Sequence, residues 1–158
     1  MSAARQSPVP APLSKARLRL WLRLLKATGE VEAELRRRLR AEFDTTLPRF
    51  DVMAALARAP EGLRMSEISE RLRVSNGNIT GIVDRLVQEG LALRVAVPGD
   101  RRAMVARLTP KGQEVFAEQA TAHEQWVDHL LAGLDGDDLA SMAAQLDRLT
   151  GHIRKECD

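Results

Sequence analysis

The chain has 158 residues, enough for one domain with its own core. With three phenylalanines, two tryptophans and no tyrosine, that core must come from Leu, Val, Ile, Ala and Met. No apolar run approaches the ~20 residues a membrane span needs. Residues 1–12 lack a signal-type apolar segment, and the single Cys157 excludes an internal disulfide. Together these predict a cytoplasmic protein. The formal net charge of +2 conceals an asymmetry. Basic and acidic residues number 12 and 7 over 1–63, 9 and 5 over 64–112, and 3 and 10 over 113–158. A basic front with an acidic tail suits a molecule that turns one face to a polyanion.

Residues 1–13, with Pro8, Pro10 and Pro12, read as a disordered leader, and 14–158 as a single domain. Residues 15–42 predict a long helix with Leu24, Val31, Leu35, Leu39 and Phe43 on one stripe. Within it the cluster Leu18, Leu20, Trp21, Leu22, Leu24, Leu25 is apolar nearly all round and asks for partners on several faces. Thr46-Leu47-Pro48-Arg49-Phe50-Asp51-Val52-Met53 opens a second helix, with Thr45 or Thr46 as cap. Met65, Ile68 and Leu72 fall at helical spacing in a short third helix. After Arg73-Val74, Ser75 is a good N-cap for a fourth, which presents Ile79, Ile82, Val83, Leu86 and Val87 on one face and stops at Gly90.

Leu91, Leu93, Val95 and Val97 then alternate with Ala92, Arg94 and Ala96, the period of a strand. Pro98-Gly99-Asp100 supplies a turn, and 103–108 returns as the partner strand, which puts Arg101 and Arg102 at the hairpin tip. Thr109 as N-cap and Pro110 at the first helical position launch a helix over 109–134 through Val115, Phe116, Trp126, Val127, Leu130 and Leu131. Beyond Gly133 and Gly136 a last helix uses Leu139, Met142, Leu146, Leu149 and Ile153.

The third and fourth helices form a helix-turn-helix pattern, whose second helix is the usual groove reader. Its first turns carry Ser75, Asn76, Gly77, Asn78 and Thr80, all short. An asparagine amide offers a donor and an acceptor together, which suits adenine in the major groove, and a threonine methyl suits that of thymine. Gly77 leaves nothing to hold the helix off a DNA backbone, at a cost of about 1 kcal/mol against Ala. Ser75 and Asn78 also have a purely structural use in satisfying free amides at the helix start. Paired arginines at a hairpin tip fit a phosphate-lined minor groove, whose narrow A·T stretches attract arginine.

The order helix, helix-turn-helix, two-stranded wing and long helix resembles the MarR family of bacterial transcription regulators. The residues carrying the resemblance are Ser66-Glu67-Ile68-Ser69-Glu70-Arg71-Leu72, Ile79-Thr80-Gly81-Ile82-Val83-Asp84-Arg85-Leu86, Glu89-Gly90-Leu91, and Asp100-x-Arg102 with Leu108-Thr109-x-x-Gly112. The resemblance implies a mainly α fold with a small β-wing. It places a winged helix-turn-helix core over 46–112 between dimerisation helices over 14–44 and 109–156. It implies a homodimer acting as a sequence-specific DNA-binding repressor on a pseudo-palindromic operator. Arg102 then matches the wing arginine that enters the minor groove, and Asp100 the wing acid that pairs within the motif. Ser75, Asn76, Asn78 and Thr80 match the base- and phosphate-facing helix start, with Arg101 as a phosphate contact. Arg85 pairs locally with Asp84 or meets DNA.

The segment from Thr46 to Met53 looks like its counterpart in family members released from DNA by an aromatic carboxylate or its coenzyme A thioester. On that reading Arg49 meets a carboxylate or phosphate, and Trp21, Phe50, His123 and Trp126 line an apolar wall. The alternatives are that these aromatics are plain core and that Arg49 pairs with a nearby acid. No cofactor is expected, and no metal site, because His123, His129 and His152 lack cysteine partners and an i, i+4 pair. The cysteine near the N-terminal helix that peroxide-sensing family members use has no counterpart here. No Ser-His-Asp arrangement, phosphate loop or CxxC motif supports an enzyme. The competing readings are a ligand-independent regulator and a winged-helix protein-interaction module.

Overall fold

A computed structural model describes residues 12–157. Their order is α1 (Leu13–Phe43), α2 (Leu47–Ala57), α3 (Met65–Leu72), α4 (Asn76–Gln88), β1 (Ala92–Val97), β2 (Asp100–Leu108), α5 (Pro110–Leu130) and α6 (Gly136–Cys157). This is the expected mainly α fold with one small antiparallel wing. The leader expected over 1–13 lies outside the described residues except for Pro12 and Leu13. Leu13 is already helical, so α1 begins before the predicted boundary. The chain divides into two compact units, one through Leu47 and the other from Pro48.

In the first unit, the stripe predicted for α1 behaves as its spacing requires. Leu35 and Leu39 are buried, while Leu24, Val31 and Phe43 are half-buried. Leu18, Leu20, Trp21, Leu22 and Leu25 remain 49–56% exposed. On the polar side Glu34 accepts hydrogen bonds from Arg37 and Arg38 at 2.7 Å, and these bonds hold its carboxyl down to about 2. Their contribution is present above the ordinary carboxylate range and lost as pH falls toward that value. Asp44, left-handed at φ 49°, ends the helix with its N–H on the Arg40 carbonyl. The Thr45 hydroxyl is buried without a hydrogen-bond partner among the described residues, so of the two expected caps for α2, Thr45 or Thr46, it is not Thr45.

The second unit has one apolar core. Val52, Met53 and Leu56 from α2, Ile68 from α3 and Ile79, Val83 and Leu86 from α4 meet Leu91, Ala92, Ala106 and Leu108 of the wing base. Arg73, at φ 54°, makes the turn between α3 and α4. There the Val74 N–H reaches the Ser69 carbonyl at 3.2 Å, and the Ser69 hydroxyl donates to the Val74 carbonyl. The end of α4 is a Schellman turn. The Gly90 N–H bonds the Val87 carbonyl at 3.0 Å and the Leu91 N–H bonds the Leu86 carbonyl at 2.9 Å. Gly90 supplies the required positive φ of 73°.

The chain next makes a close approach that explains the Leu-Thr-x-x-Gly spacing. Thr109 caps α5 by accepting the Gly112 N–H at 3.0 Å, and its hydroxyl donates to the Gly90 carbonyl at 2.7 Å. Its own N–H bonds the Leu91 carbonyl at 3.0 Å. The first turn of α5 is thereby pulled onto the backbone that leaves α4. A Cβ at position 112 would stand 1.9 Å from the Leu91 oxygen, so only glycine fits.

Helix α5 stops at Leu130 rather than 134. Asp135 and Asp138 then start α6 with reciprocal side-chain to backbone bonds of 2.8 and 3.4 Å, a capping-box arrangement. No described residue of α6 is buried.

Candidate nucleic-acid interface

Two features of the second unit carry exposed polar or basic side chains. The first is the start of α4. Ser75 caps it, its hydroxyl accepting the Asn78 N–H at 3.4 Å. Ser75, Asn76, Gly77 and Asn78 are exposed, whereas Ile79 is fully buried and fixes which way the helix turns. The Asn76 and Asn78 side-chain amides have no hydrogen-bond partner among the described residues. Thr80 is half-buried, and its hydroxyl donates to the Asn76 carbonyl at 2.9 Å. That hydroxyl proton is thus already committed to the helix backbone.

The second feature is the wing. β1 and β2 pair in register from Ala92–Leu108 to Ala96–Met104, and then the register shifts. Val97 pairs with Asp100 across Pro98-Gly99, with Gly99 at φ 83°, the positive value that Pro-Gly turns favour at this position. Residues 101–103 therefore bulge from β2 without opposite numbers. Arg101 and Arg102 lie in this bulge rather than at the hairpin tip as expected. A bulge bends a strand and re-aims its side chains. Both arginines are exposed and have no carboxylate partner among the described residues. The Asp100 carboxylate accepts the Arg102 N–H at 3.1 Å, an Asx turn that holds the bulge from within the motif. The base of the wing is fastened by a reciprocal pair of bonds between Leu63 and Ala106, at 2.9 and 2.8 Å.

Asp84 does not pair with the adjacent Arg85. Its carboxylate instead meets the Arg94 guanidinium of β1 at 2.6 Å, tying α4 to the wing. One further signal is Gly81, and for Arg49 the alternative of a nearby acid holds. Gly81 lies on the exposed side of α4, four residues after Gly77, and no atom would crowd a Cβ at either position. Arg49 forms an ion pair with Glu89 at the end of α4.

The residues proposed to line an effector site divide between the units. Trp21 belongs to the first and is 54% exposed. In the second, buried Phe50 stacks on His123 with ring centroids 4.5 Å apart and approaches Phe116 at 5.5 Å. Trp126 is buried one turn further along α5. Burial pushes the His123 imidazole below its ordinary value. Below about pH 6.5 the unfolded chain therefore takes up this proton before the folded one, and stability falls as pH drops through that window. Thermal melting between pH 7.5 and 5.5 should show a smaller acid-side loss for His123→Phe than for the unchanged chain. Equal losses would mean that the imidazole contributes nothing to the pH dependence. His123 also lines an open hollow of about 710 Å³ formed by the second half of α5, residues 131–134 and the start of α6.

A profile of the MarR family matches residues 43–103, from the end of α1 to the wing bulge. A crystal structure of a MarR family transcriptional regulator from Silicibacter pomeroyi is similar at 32% sequence identity and a TM-score of 0.76, over 91% of this chain and 99% of that one. The chain belongs to the MarR family. The regulator PecS of Dickeya dadantii is 29% identical over 106 residues, 66% of this chain and 64% of PecS. The match to MhqR of Bacillus subtilis is 28% over 85 residues and spans 59% of that protein. Both alignments thus span less than two thirds of the curated relatives. A MarR family regulator from Streptomyces coelicolor, solved in complex with DNA, shares the fold at a TM-score of 0.76 and 23% identity, over 91% of each chain.

Proposed function

We propose that this MarR family member is a transcriptional regulator that binds double-stranded DNA, with α4 in the major groove and the wing bulge in the adjacent minor groove. The observation that carries this is the pairing of unpartnered Asn76 and Asn78 amides with unpaired Arg101 and Arg102 on one compact unit. A helix start with free hydrogen-bonding groups reads base edges, and free guanidinium groups displace counterions from phosphate. The Streptomyces coelicolor relative, solved with DNA, supports the same use of the fold. A mobility-shift titration against the chain's own upstream region, with unrelated duplex as competitor, tests it. Equal affinity for both duplexes would remove sequence-specific recognition.

Gly77 and Gly81 belong to this reading. Each lies in a helix with ample room for a methyl group, so neither is needed by the fold. Gly81→Ala should raise stability by about 1 kcal/mol from helix propensity yet weaken specific DNA binding by holding α4 off the duplex. Melting and mobility shift together check this. A more stable variant with unchanged affinity would place Gly81 outside the interface.

The regulator acts as a homodimer on this proposal. Leu139, Met142, Leu146, Leu149 and Ile153 of α6 are 40–49% exposed, and an apolar helix stripe of this size needs a cover. The exposed leucines and Trp21 of α1 make the same demand. A second copy meets both demands at once and gives the two-fold symmetry that a pseudo-palindromic operator mirrors. Sedimentation at the mass of one chain would contradict it. A dimer seated across a promoter acts most simply by occluding it, and on this proposal the regulator is a repressor.

The effector reading draws on the aromatic cluster of Phe50, His123 and Phe116. The hollow beside His123 carries Glu124 and Asp128 and neither lysine nor arginine, so it does not favour an anion. An aromatic carboxylate or its thioester must instead take Arg49 in exchange for Glu89. Titrating aromatic acids and their coenzyme A thioesters against the operator complex tests this, and the absence of release by all of them would remove the effector class.

A further inference from the structure

We infer that the Arg49–Glu89 ion pair is a positioning contact that sets the pose of the recognition helix α4, a role that rests on the DNA-binding reading above. Arg49 lies in the first turn of α2 and Glu89 caps the end of α4, 40 residues later. The arginine side chain is only 21% exposed. The next residue, Phe50, stacks on His123 of α5. One turn of α2 therefore holds the end of α4 through Arg49 and α5 through Phe50.

The two ends of α4 are held differently. Its front, Ser75 to Asn78, is exposed, and its side-chain bonds, the 3.4 Å Ser75 cap and the Thr80 hydroxyl on the Asn76 carbonyl, stay within the helix itself. Its rear carries the Glu89 bond, the Schellman turn at Gly90 and the Thr109 bond to the Gly90 carbonyl. Buried Ile79, Val83 and Leu86 fix how deeply the helix sits, but apolar contact is non-directional and leaves its tilt soft. A charge-assisted hydrogen bond is directional. A tilt of about 5° at Glu89 moves the front of this 13-residue helix by ~1.7 Å, given a rise of ~1.5 Å per residue. That shift is enough to break base contacts at Asn76 and Asn78. A partly exposed ion pair adds little to stability, so its chief consequence is geometric.

The test compares Arg49→Glu, Glu89→Arg, the double reversal and the neutral Glu89→Gln in the full chain. The readout is the ratio of affinity for the upstream duplex to affinity for unrelated duplex, with melting temperature measured alongside. Each single variant should lower the ratio by about tenfold, the middle of the range for contacting pairs, and the double reversal should recover most of it. If a reversal fails to fold, Glu89→Gln still lowers the ratio. An unchanged ratio in folded single variants, or no recovery in the double variant, would overturn the inference while leaving the DNA-binding reading intact. Failure of the unchanged chain to discriminate between the duplexes would overturn both.

Discussion

Gly112→Ala should destabilise the second unit by about 3 kcal/mol, the upper end for overpacking. The reason is the nature of the obstacle. The new methyl would lie 1.9 Å from the Leu91 carbonyl oxygen and 2.9 Å from its carbon, and backbone cannot swing aside as a side chain does. Relief requires α5 to slide off the segment that links α4 to β1. That movement breaks the Thr109 bonds to Gly90 and Leu91 and opens the core beside Leu91 and Leu108. Urea unfolding followed by circular dichroism measures the effect, and a change below 1 kcal/mol would show that this approach is not rigid. The same close contact joins the recognition helix, the wing and α5, so a folded remnant should also discriminate poorly between duplexes.

The second large effect falls on binding. Replacing Arg102 by alanine should weaken DNA binding by about 10- to 100-fold, as loss of a charged hydrogen bond of about 1.5–3 kcal/mol implies. It should also reduce the slope of log affinity against log salt by about one phosphate's worth. Arg102 occupies the bulge set by the Asx turn from Asp100, and that carboxylate is engaged by the Arg102 backbone N–H, leaving the guanidinium in no ion pair among the described residues. The fold should be unaffected, because the side chain is exposed. Binding measured from 50 to 200 mM salt, with melting as a control, separates the two effects. An unchanged slope would take Arg102 out of the DNA interface.

Much of this arrangement was legible in the sequence because it depends on local rules. The cap at Ser75, the positive φ at Gly90 and the Thr109-Pro110 start each follow from one residue type at one position. Ile79, Val83 and Leu86 reach the core because their spacing selects one helix face. Features that depend on pairing across the fold were not legible. Nothing local to Asp84 says that its partner is Arg94 on β1 rather than the adjacent Arg85. Nothing in the segment from Thr46 to Met53 shows that Arg49 meets an acid 40 residues away. The wing's strands were legible, but its register was not, for a similar reason. Alternation predicts the strands, but the bulge that carries Arg101 and Arg102 appears only in the cross-strand register. Gly81 carried a readable signal, a glycine inside a helix that pays a propensity penalty, but only the empty space around it shows that the fold does not require it.

The central claim is that α4 and the wing grip neighbouring grooves of one duplex. The most direct measurement places a hydroxyl-radical-generating iron chelate on a single cysteine at position 78 or 102, with Cys157 changed to serine, on operator DNA. The account predicts major-groove cleavage from position 78 and minor-groove cleavage from position 102, separated by about half of the 10–10.5 bp helical turn. Cleavage from one position only, or from neither, would contradict it.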